Sequence, residues 1–175
     1  SGSADAVDRF GGHLDRHVRI EPDVARQAEG IEARLRHRAG DDGADVLRRA
    51  YVEYAATFDD LHGGFGGAPK FPPPAALQFL LRYHRRSGDE HALAMVTRTL
   101  DAMAAGGIHD QVGGGFHRYA TDAAWQVPHF EKMLTDNAQL AMAYVDAYQV
   151  THRREFADTT RAVLDDVVRD LTAPE

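Results

Sequence analysis

Apolar residues recur at helical spacing along most of the chain, and alternating β-branched runs are nearly absent, so the sequence predicts an all-α fold. Proline, glycine and aspartate mark the ends of six helical segments. The segments are expected at about 23–38, at about 44–58, from Pro72–Pro74 to Ser87-Gly88, from Asp89 to Gly106-Gly107, from Pro128 to about Thr151, and at about 153–171.

The width of the apolar arc differs between helices. In the fifth helix, Met133 and Tyr144 lie on one side while Leu134 and Val145 lie on the other, so little of its surface is polar. A helix that is apolar most of the way round is buried on more than one side. The third helix resembles the fifth, whereas the fourth has one narrow stripe. Helices three and five are therefore predicted to be inner helices, and two, four and six outer ones.

The connections alternate in step with the helices. Inner-to-outer turns are tight, whereas the outer-to-inner loops, 59–71 and 106–127, are long and rich in glycine. Gly-Gly-Phe occurs in both loops, starting at Gly63 and at Gly114, which are 51 residues apart. A repeat of that length is typical of stacked helical hairpins. We expect three hairpins of a longer toroid.

This interpretation gives the expected domain organisation. Residues 1–3, Ser-Gly-Ser, are expected to be a cloning scar, 4–58 to form N-terminal helices, and 59–175 to form a partial (α/α)6 barrel truncated at its C-terminal end. The missing hairpins would leave apolar sides uncovered, so self-association of the chain is also expected.

Composition excludes several classes of protein. The net charge is −7, which argues against nucleic acid as a partner, because a protein that neutralises phosphates needs a basic surface. The chain has no cysteine, so disulfides and thiolate chemistry are ruled out within it. No apolar stretch is long enough to cross a membrane, no signal peptide is visible, and the cytoplasm is expected. We expect no cofactor, and the ten histidines lack the spacing of a zinc helix, so no metal either.

Three motifs resemble a known family. They read GGFGGAPKF at 63–71, AGGIHDQVGGGFHRY at 105–119 and WQVPHFEKMLTDNA at 125–138. Their order and content resemble the thioredoxin-domain-containing family of spermatogenesis-associated protein 20 and its bacterial YyaL-type relatives. Thr135 departs from the pattern, in which tyrosine is common at that position. The resemblance covers 60–175 well and the first 58 residues poorly.

The resemblance implies a thioredoxin-like domain followed by an (α/α)6 barrel related to sugar 2-epimerases, with this chain at the start of the barrel. Two functions stay open. In the first, the barrel binds or modifies a carbohydrate-like small molecule, as a carbohydrate epimerase or a glycosidase-like enzyme would, and the isolated chain is inactive. In the second, it is a non-enzymatic scaffold or interaction module that accompanies the thioredoxin-like domain.

The start of the fifth helix carries the strongest candidate site. On an ideal helix, His129, Asp136 and Asn137 interrupt one apolar face, and buried polar groups need a reason because they cost stability. We interpret His129 and Asp136 as candidate catalytic residues and Asn137 as ligand-binding. The alternative is that these side chains tie down the glycine-rich loops.

The two long loops supply further candidates. Polar and aromatic side chains on loops flanked by rigid helices are typical of a carbohydrate site. An arginine there could hold a carboxylate or phosphate through two hydrogen bonds. An equally open alternative is that Trp125 and Phe116 anchor the loops in the core. The candidate ligand-binding residues are Lys70, His109, Asp110, His117, Arg118 and Trp125.

Overall fold

The computed structural model describes residues 41–172. The chain divides into two compact units, Ser1–Val46 and Leu47–Glu175, and the architecture below is that of the second. The helix predicted at 23–38 lies outside the described residues. Five helices are seen from residue 41 onward: α1 Asp41–Thr57, α2 Pro74–Ser87, α3 Glu90–Ala105, α4 Leu134–Thr151 and α5 Arg154–Asp170. β-pairing between 41 and 172 is limited to isolated bridges, so the all-α prediction is confirmed.

The ends of the helices follow from their sequence. α2 has a proline in its first turn and ends at Gly88, whose φ of 74° is in the left-handed region that glycine tolerates. Asp89 then caps α3 by accepting hydrogen bonds from the backbone N–H groups of His91 and Ala92. These signals are local, which is why the predicted turn at 87–89 is found.

The predicted start of the fifth helix was wrong. Helix α4 begins at Leu134 rather than at Pro128, because the residues before it pair with another extended segment. The N–H of His129 donates to the carbonyl of Tyr119 at 2.9 Å, and the N–H of Arg118 donates to the carbonyl of Glu131 at 2.8 Å. The helical wheel that put His129 on one face with Asp136 therefore does not apply.

The helices form two layers. α4 packs against α2 beside it and against α3 and α5, so α2 and α4 are the inner pair. Their buried face includes Leu77 and Leu80 of α2 and Leu140 and Tyr144 of α4. The Tyr144 hydroxyl donates to the carbonyl of Leu100 at 2.8 Å, so this buried polar atom is satisfied by α3.

The two outer-to-inner loops share one backbone structure. In the first, Asp59 donates its N–H to the Gly64 carbonyl at 2.9 Å and accepts from the Gly63 N–H at 2.8 Å. In the second, Asp110 makes the same pair with Gly115 at 3.0 Å and with Gly114 at 2.8 Å. The equivalent residues are 51 positions apart, which agrees with the predicted repeat.

A lysine fastens each of these loops from within. Lys70 donates to Asp59 Oδ2 at 2.6 Å and to the Gly63 carbonyl at 2.9 Å. Lys132 donates to Asp110 Oδ2 at 2.9 Å and to the Gly114 carbonyl at 2.7 Å. The two lysines occupy equivalent places although they are not 51 residues apart, so a comparison of the repeats in sequence alone does not match them.

Between residues 41 and 172, none of the helices combines the length and apolar character that a membrane span requires.

Candidate functional site

A cleft of about 210 Å³ opens beside the N-terminal ends of the two inner helices. It is bounded on one side by the segment that leads into α2 and on another by the first turns of α4. The polar groups in its wall are the guanidinium of Arg118 and the carboxylate of Asp136. The residues that line it are Phe71, Pro72, Pro74, Arg118, Asp136 and Leu140.

Phe71, which lines the cleft, is the first of three stacked rings. The rings of Phe71 and Tyr119 lie 4.8 Å apart between centroids, and Tyr119 stacks on His129 at the same distance with an angle of 8°. Their backbones explain the alignment, because Lys70 bridges to Ala120 and His129 donates to Tyr119. We call Phe71, Tyr119 and His129 the ring ladder.

A charged group adjoins the ring ladder. Arg118 lies 3.2 Å from Glu131 Oε2, and His129 Nδ1 lies 3.7 Å from the same oxygen. All three side chains are about half exposed, so water screens the pair and its contribution to stability is small. The arrangement brings an imidazole, a carboxylate and a guanidinium together at the edge of the cleft.

Asp136 is the other polar group of the cleft wall. It lies in the first turn of α4, where the partial positive charge of the helix N-terminus favours a carboxylate. Among the residues that the structure describes, no hydrogen bond or ion pair of its side chain is seen. Its carboxylate is therefore available to a ligand.

Lys70, which the sequence predicts to be ligand-binding, does not line the cleft. Its side chain is fully buried, and its ammonium is held by Asp59 and Gly63 and lies 5.4 Å from the centre of the Trp125 ring. Burial opposes ionisation of Asp59, but the hydrogen bonds from Lys70, His62 and Leu61 outweigh it and hold the pKa of that carboxyl well below its usual range. Lys70 thus fastens the loop.

Asp110 and its lysine have the same role in the second loop. Asp110 Oδ1 accepts hydrogen bonds from the N–H groups of Val112 and Gly113, and these bonds together with Lys132 hold the pKa of Asp110 well below its usual range. Burial opposes the charge of Lys132, but Asp166 and Asp110 outweigh it and raise the pKa of the ammonium. Lys132 also contacts Asp166 Oδ1 at 2.8 Å, which joins the loop to α5.

The two loop histidines lie around Lys132. Burial lowers the pKa of both His109 and His117, and the nearby Lys132 ammonium lowers it further. His109 Nε2 and His117 Nδ1 are buried without a hydrogen-bond partner within the described residues, and so is Asp166 Oδ2. Neither histidine lines the cleft.

Trp125 and Asn137 hold the loops. Trp125 is fully buried with a φ of 65°, and its indole N–H donates to the His62 carbonyl at 3.0 Å, so it ties one loop to the other. The Asn137 amide accepts from the N–H of Phe116 at 2.7 Å and donates to the same residue's carbonyl at 3.0 Å. For these two residues the geometry agrees with the structural alternative.

The structure thus divides the sequence-based candidates into two sets. Arg118 and Asp136 line the cleft and His129 stands at its edge, whereas Lys70, His109, Asp110, His117, Trp125 and Asn137 lie in or beneath the loops. Among the residues described, no three histidine, aspartate or glutamate side chains are placed to hold a metal ion.

Sequence reasoning missed two residues that contact the cleft lining, Glu131 beside Arg118 and Tyr119 beside Phe71. Glu131 receives no role from a helical wheel, because residues 128–133 are predicted to be helical and are extended instead. Tyr119 was quoted in a motif but given no role. The signal that could have found both is the Val127-Pro128 step, since the residue before a proline favours extended backbone.

No protein-family model matches the chain. Spermatogenesis-associated protein 20 from Homo sapiens is 47% identical over 133 residues, and the protein of that name from Mus musculus is 45% identical over 133 residues. Each match covers 74% of this chain, and the chain spans only 17% of the length of these relatives.

Two solved structures share the fold. A sugar epimerase from a ruminal bacterium superposes with a TM-score of 0.65 at 16% identity, over 75% of this chain and 38% of that one. Cellobiose 2-epimerase from Bacillus thermoamylovorans gives 0.61 at 17% identity, over 77% and 39%. These neighbours are (α/α)6 toroids, so the helical hairpins described here are part of such a toroid. On these matches, the chain belongs to the family of spermatogenesis-associated protein 20 and forms a segment of its epimerase-like helical region.

Proposed function

We propose that the cleft binds a carbohydrate-like small molecule. The observation that carries this proposal is the ring ladder beside a cleft whose wall holds Arg118 and Asp136. Aromatic faces pack against the apolar C–H faces of a sugar, while a guanidinium donates to its hydroxyls and a carboxylate accepts from them. A small apolar surface with a few convergent polar groups is typical of a ligand site.

The size of the cleft fits a single small ring. At about 210 Å³ it is smaller than the pockets that hold drug-sized ligands, which span roughly 300–1,000 Å³. Further hairpins of the toroid would extend its wall. The shared fold of the sugar epimerases supports the proposal only as an analogy, because one fold hosts many functions.

The cleft edge also has groups that could move a proton. His129 is within 3.7 Å of Glu131, and an imidazole beside a carboxylate is suited to general acid–base work. An epimerase needs such groups on both faces of the reacting carbon. The described hairpins place one pair on one side, so we expect the chain by itself to bind without turning over a sugar.

The second proposal is a scaffold that accompanies a thioredoxin-like domain in the cytoplasm. It is favoured by the use of Lys70, Asp110, Trp125 and Asn137 as loop fasteners rather than as ligand contacts. Under this proposal the cleft is a by-product of loop packing. Variants of the cleft would then change neither ligand binding nor partner contacts.

Saturation-transfer NMR with cellobiose separates the two proposals. Phe71→Ala removes an exposed ring of the cleft, and Phe130→Ala removes a ring that is 82% exposed and does not line it. A carbohydrate site predicts that Phe71→Ala weakens cellobiose binding about fivefold or more while Phe130→Ala does not, since an aromatic contact contributes on the order of 1 kcal/mol. Absence of any cellobiose signal with the folded parent chain would contradict the carbohydrate proposal.

A further inference from the structure

The charges around the cleft do not balance. Arg118 brings one positive charge, and its partner Glu131, 3.2 Å away, brings one negative charge. Asp136 adds a second negative charge, with no counter-ion among the described residues. Two carboxylates therefore face one guanidinium at this end of the inner helices.

The N-terminus of α4 offsets this excess only in part. The N-cap residue Met133 makes no side-chain hydrogen bond to the helix, so the first N–H groups of α4 are available and carry a partial positive charge. That charge is equivalent to about half an elementary charge. It is smaller than the full charge of the Asp136 carboxylate, which lies in the same turn. The cleft stays electronegative.

The ion pair between Arg118 and Glu131 weakens the binding of an anionic ligand to the cleft. A carboxylate or phosphate could use the guanidinium only by displacing Glu131, to which Arg118 is also linked through its backbone N–H at 2.8 Å. Displaced, Glu131 would remain close to the incoming anion. Asp136, in contrast, can accept a hydrogen bond from a ligand without breaking one that exists.

From this we infer that the cleft binds a sugar with an amino group more tightly than neutral or acidic sugars. The Asp136 carboxylate would bind the ammonium group. The inference rests on the proposed carbohydrate site and adds the charge of its ligand. The ring ladder would hold the apolar face of the sugar, and Arg118 with Glu131 would contact its hydroxyls. Asp136 would form a charge-assisted hydrogen bond with the amine.

Three probes of similar shape test the inference. Glucosamine, glucose and glucuronate are mainly cationic, neutral and anionic at pH 7, and their affinities for the chain can be measured by NMR titration at low salt, where charge effects are least screened. We expect glucosamine to bind about fivefold more tightly than glucose, the size typical of a partly exposed ion pair, and glucuronate to bind most weakly.

A substitution tests whether Asp136 causes the preference for glucosamine over glucose. Asp136→Asn should bring the ratio of glucosamine to glucose affinity close to one, whereas Asp165→Asn, the same change of charge on an exposed position of α5, should leave the ratio as it is. The inference would be overturned if glucuronate bound as tightly as glucose or more tightly, or if Asp136→Asn left the glucosamine-to-glucose affinity ratio unchanged. Either result would leave the proposed carbohydrate site standing. If none of the three sugars binds the folded chain, the proposed function itself fails.

Discussion

The ammonium of Lys132 lies 2.9 Å from the carboxylate of Asp110, beneath a loop that repeats the one 51 residues earlier. Each lysine is also the chain neighbour of a residue that lines the cleft or contacts its lining. Lys70 precedes Phe71, and Lys132 follows Glu131. The two ion pairs, in which Lys70 is fully buried and Lys132 partly buried, therefore fix the loops and, through the adjacent residues, the position of the cleft edge.

Removing one of these lysines should destabilise the fold strongly. In Lys70→Met, Asp59 loses its counter-ion and the Gly63 carbonyl loses a donor, at a site where the lysine is fully buried. Breaking a buried pair from one side costs about 3–5 kcal/mol in the free energy of unfolding. Because Asp59 is partly exposed and keeps its hydrogen bonds from the N–H groups of Leu61 and His62, we expect a loss at the lower end, about 3 kcal/mol. Urea denaturation followed by circular dichroism measures it.

The matched control is Arg161→Met. Arg161 contacts Asp158 at 2.6 Å, but both side chains are more than half exposed, so the expected loss is about 0–1 kcal/mol. Equal losses for the two variants would show that Lys70 does not stabilise the loop.

Two glycines of the first loop should respond differently to alanine. Gly64 and Gly66 have similar positive φ values, 80° and 72°, so both substitutions incur the strain of a left-handed residue, about 1–2 kcal/mol. A Cβ on Gly64 would lie 2.5 Å from Cζ2 of the buried Trp125, whereas one on Gly66 would meet nothing within 4 Å. Overpacking adds about 1–3 kcal/mol for Gly64→Ala alone.

Denaturant midpoints of the two variants check this directly. The expected order is parent, then Gly66→Ala, then Gly64→Ala. If Gly66→Ala is as unstable as Gly64→Ala, the close approach of the loop to Trp125 is not the cause.

Stability should fall in two stages on acidification. Burial lowers the pKa of His109 and His117, so below about pH 6.5, the usual histidine value, the unfolded chain binds protons that the folded chain resists. Folded stability therefore decreases as the pH falls through that range. A second loss follows below about pH 4, where Asp59 and Asp110, with lowered pKa values, are protonated first in the unfolded chain.

Melting curves across pH test the histidine stage. His109→Phe with His117→Phe should flatten the change between about pH 5 and 7, since neither side chain can then take up a proton. His152→Asn is the control, because His152 is exposed at φ 57°, a conformation that asparagine tolerates. An unchanged slope in the double variant would rule out these two histidines as its source.

The exposed apolar residues of α4 and α5 predict self-association. Met142, Val145 and Tyr148 of α4 and Leu164 and Val168 of α5 are between 36% and 73% exposed. Large exposed apolar patches are typical of interaction surfaces. Sedimentation at micromolar concentration should show dimers or larger species, and Met142→Glu with Val168→Glu should return the chain to monomers. A monomeric parent chain would contradict the prediction.

Sequence alone anticipates the helices because their signals are local. The Asp89 cap, the glycine after α2 and the wide apolar arc of α4 each act within one element. The glycine repeat at Gly63 and Gly114 likewise predicts the hairpins. Each of these features can be read without knowing what lies across the fold.

The cleft was harder to predict because it depends on pairing between distant segments. His129 belongs to the ring ladder because hydrogen bonds with residues 118–120 hold residues 128–133 extended, so the helix begins at Leu134 rather than at Pro128. The places of Lys70 and Asp110 under the loops follow from contacts across 11 and 22 residues, which neither composition nor periodicity reveals.

The central claim is that the ring ladder and Asp136 form one carbohydrate site. The most direct measurement is a crystal structure of the chain soaked with cellobiose or glucosamine. We expect a sugar ring packed against Phe71, with a hydroxyl or amine within hydrogen-bond distance of the Asp136 carboxylate. A sugar bound elsewhere, or a cleft that holds only water at saturating sugar, would contradict it.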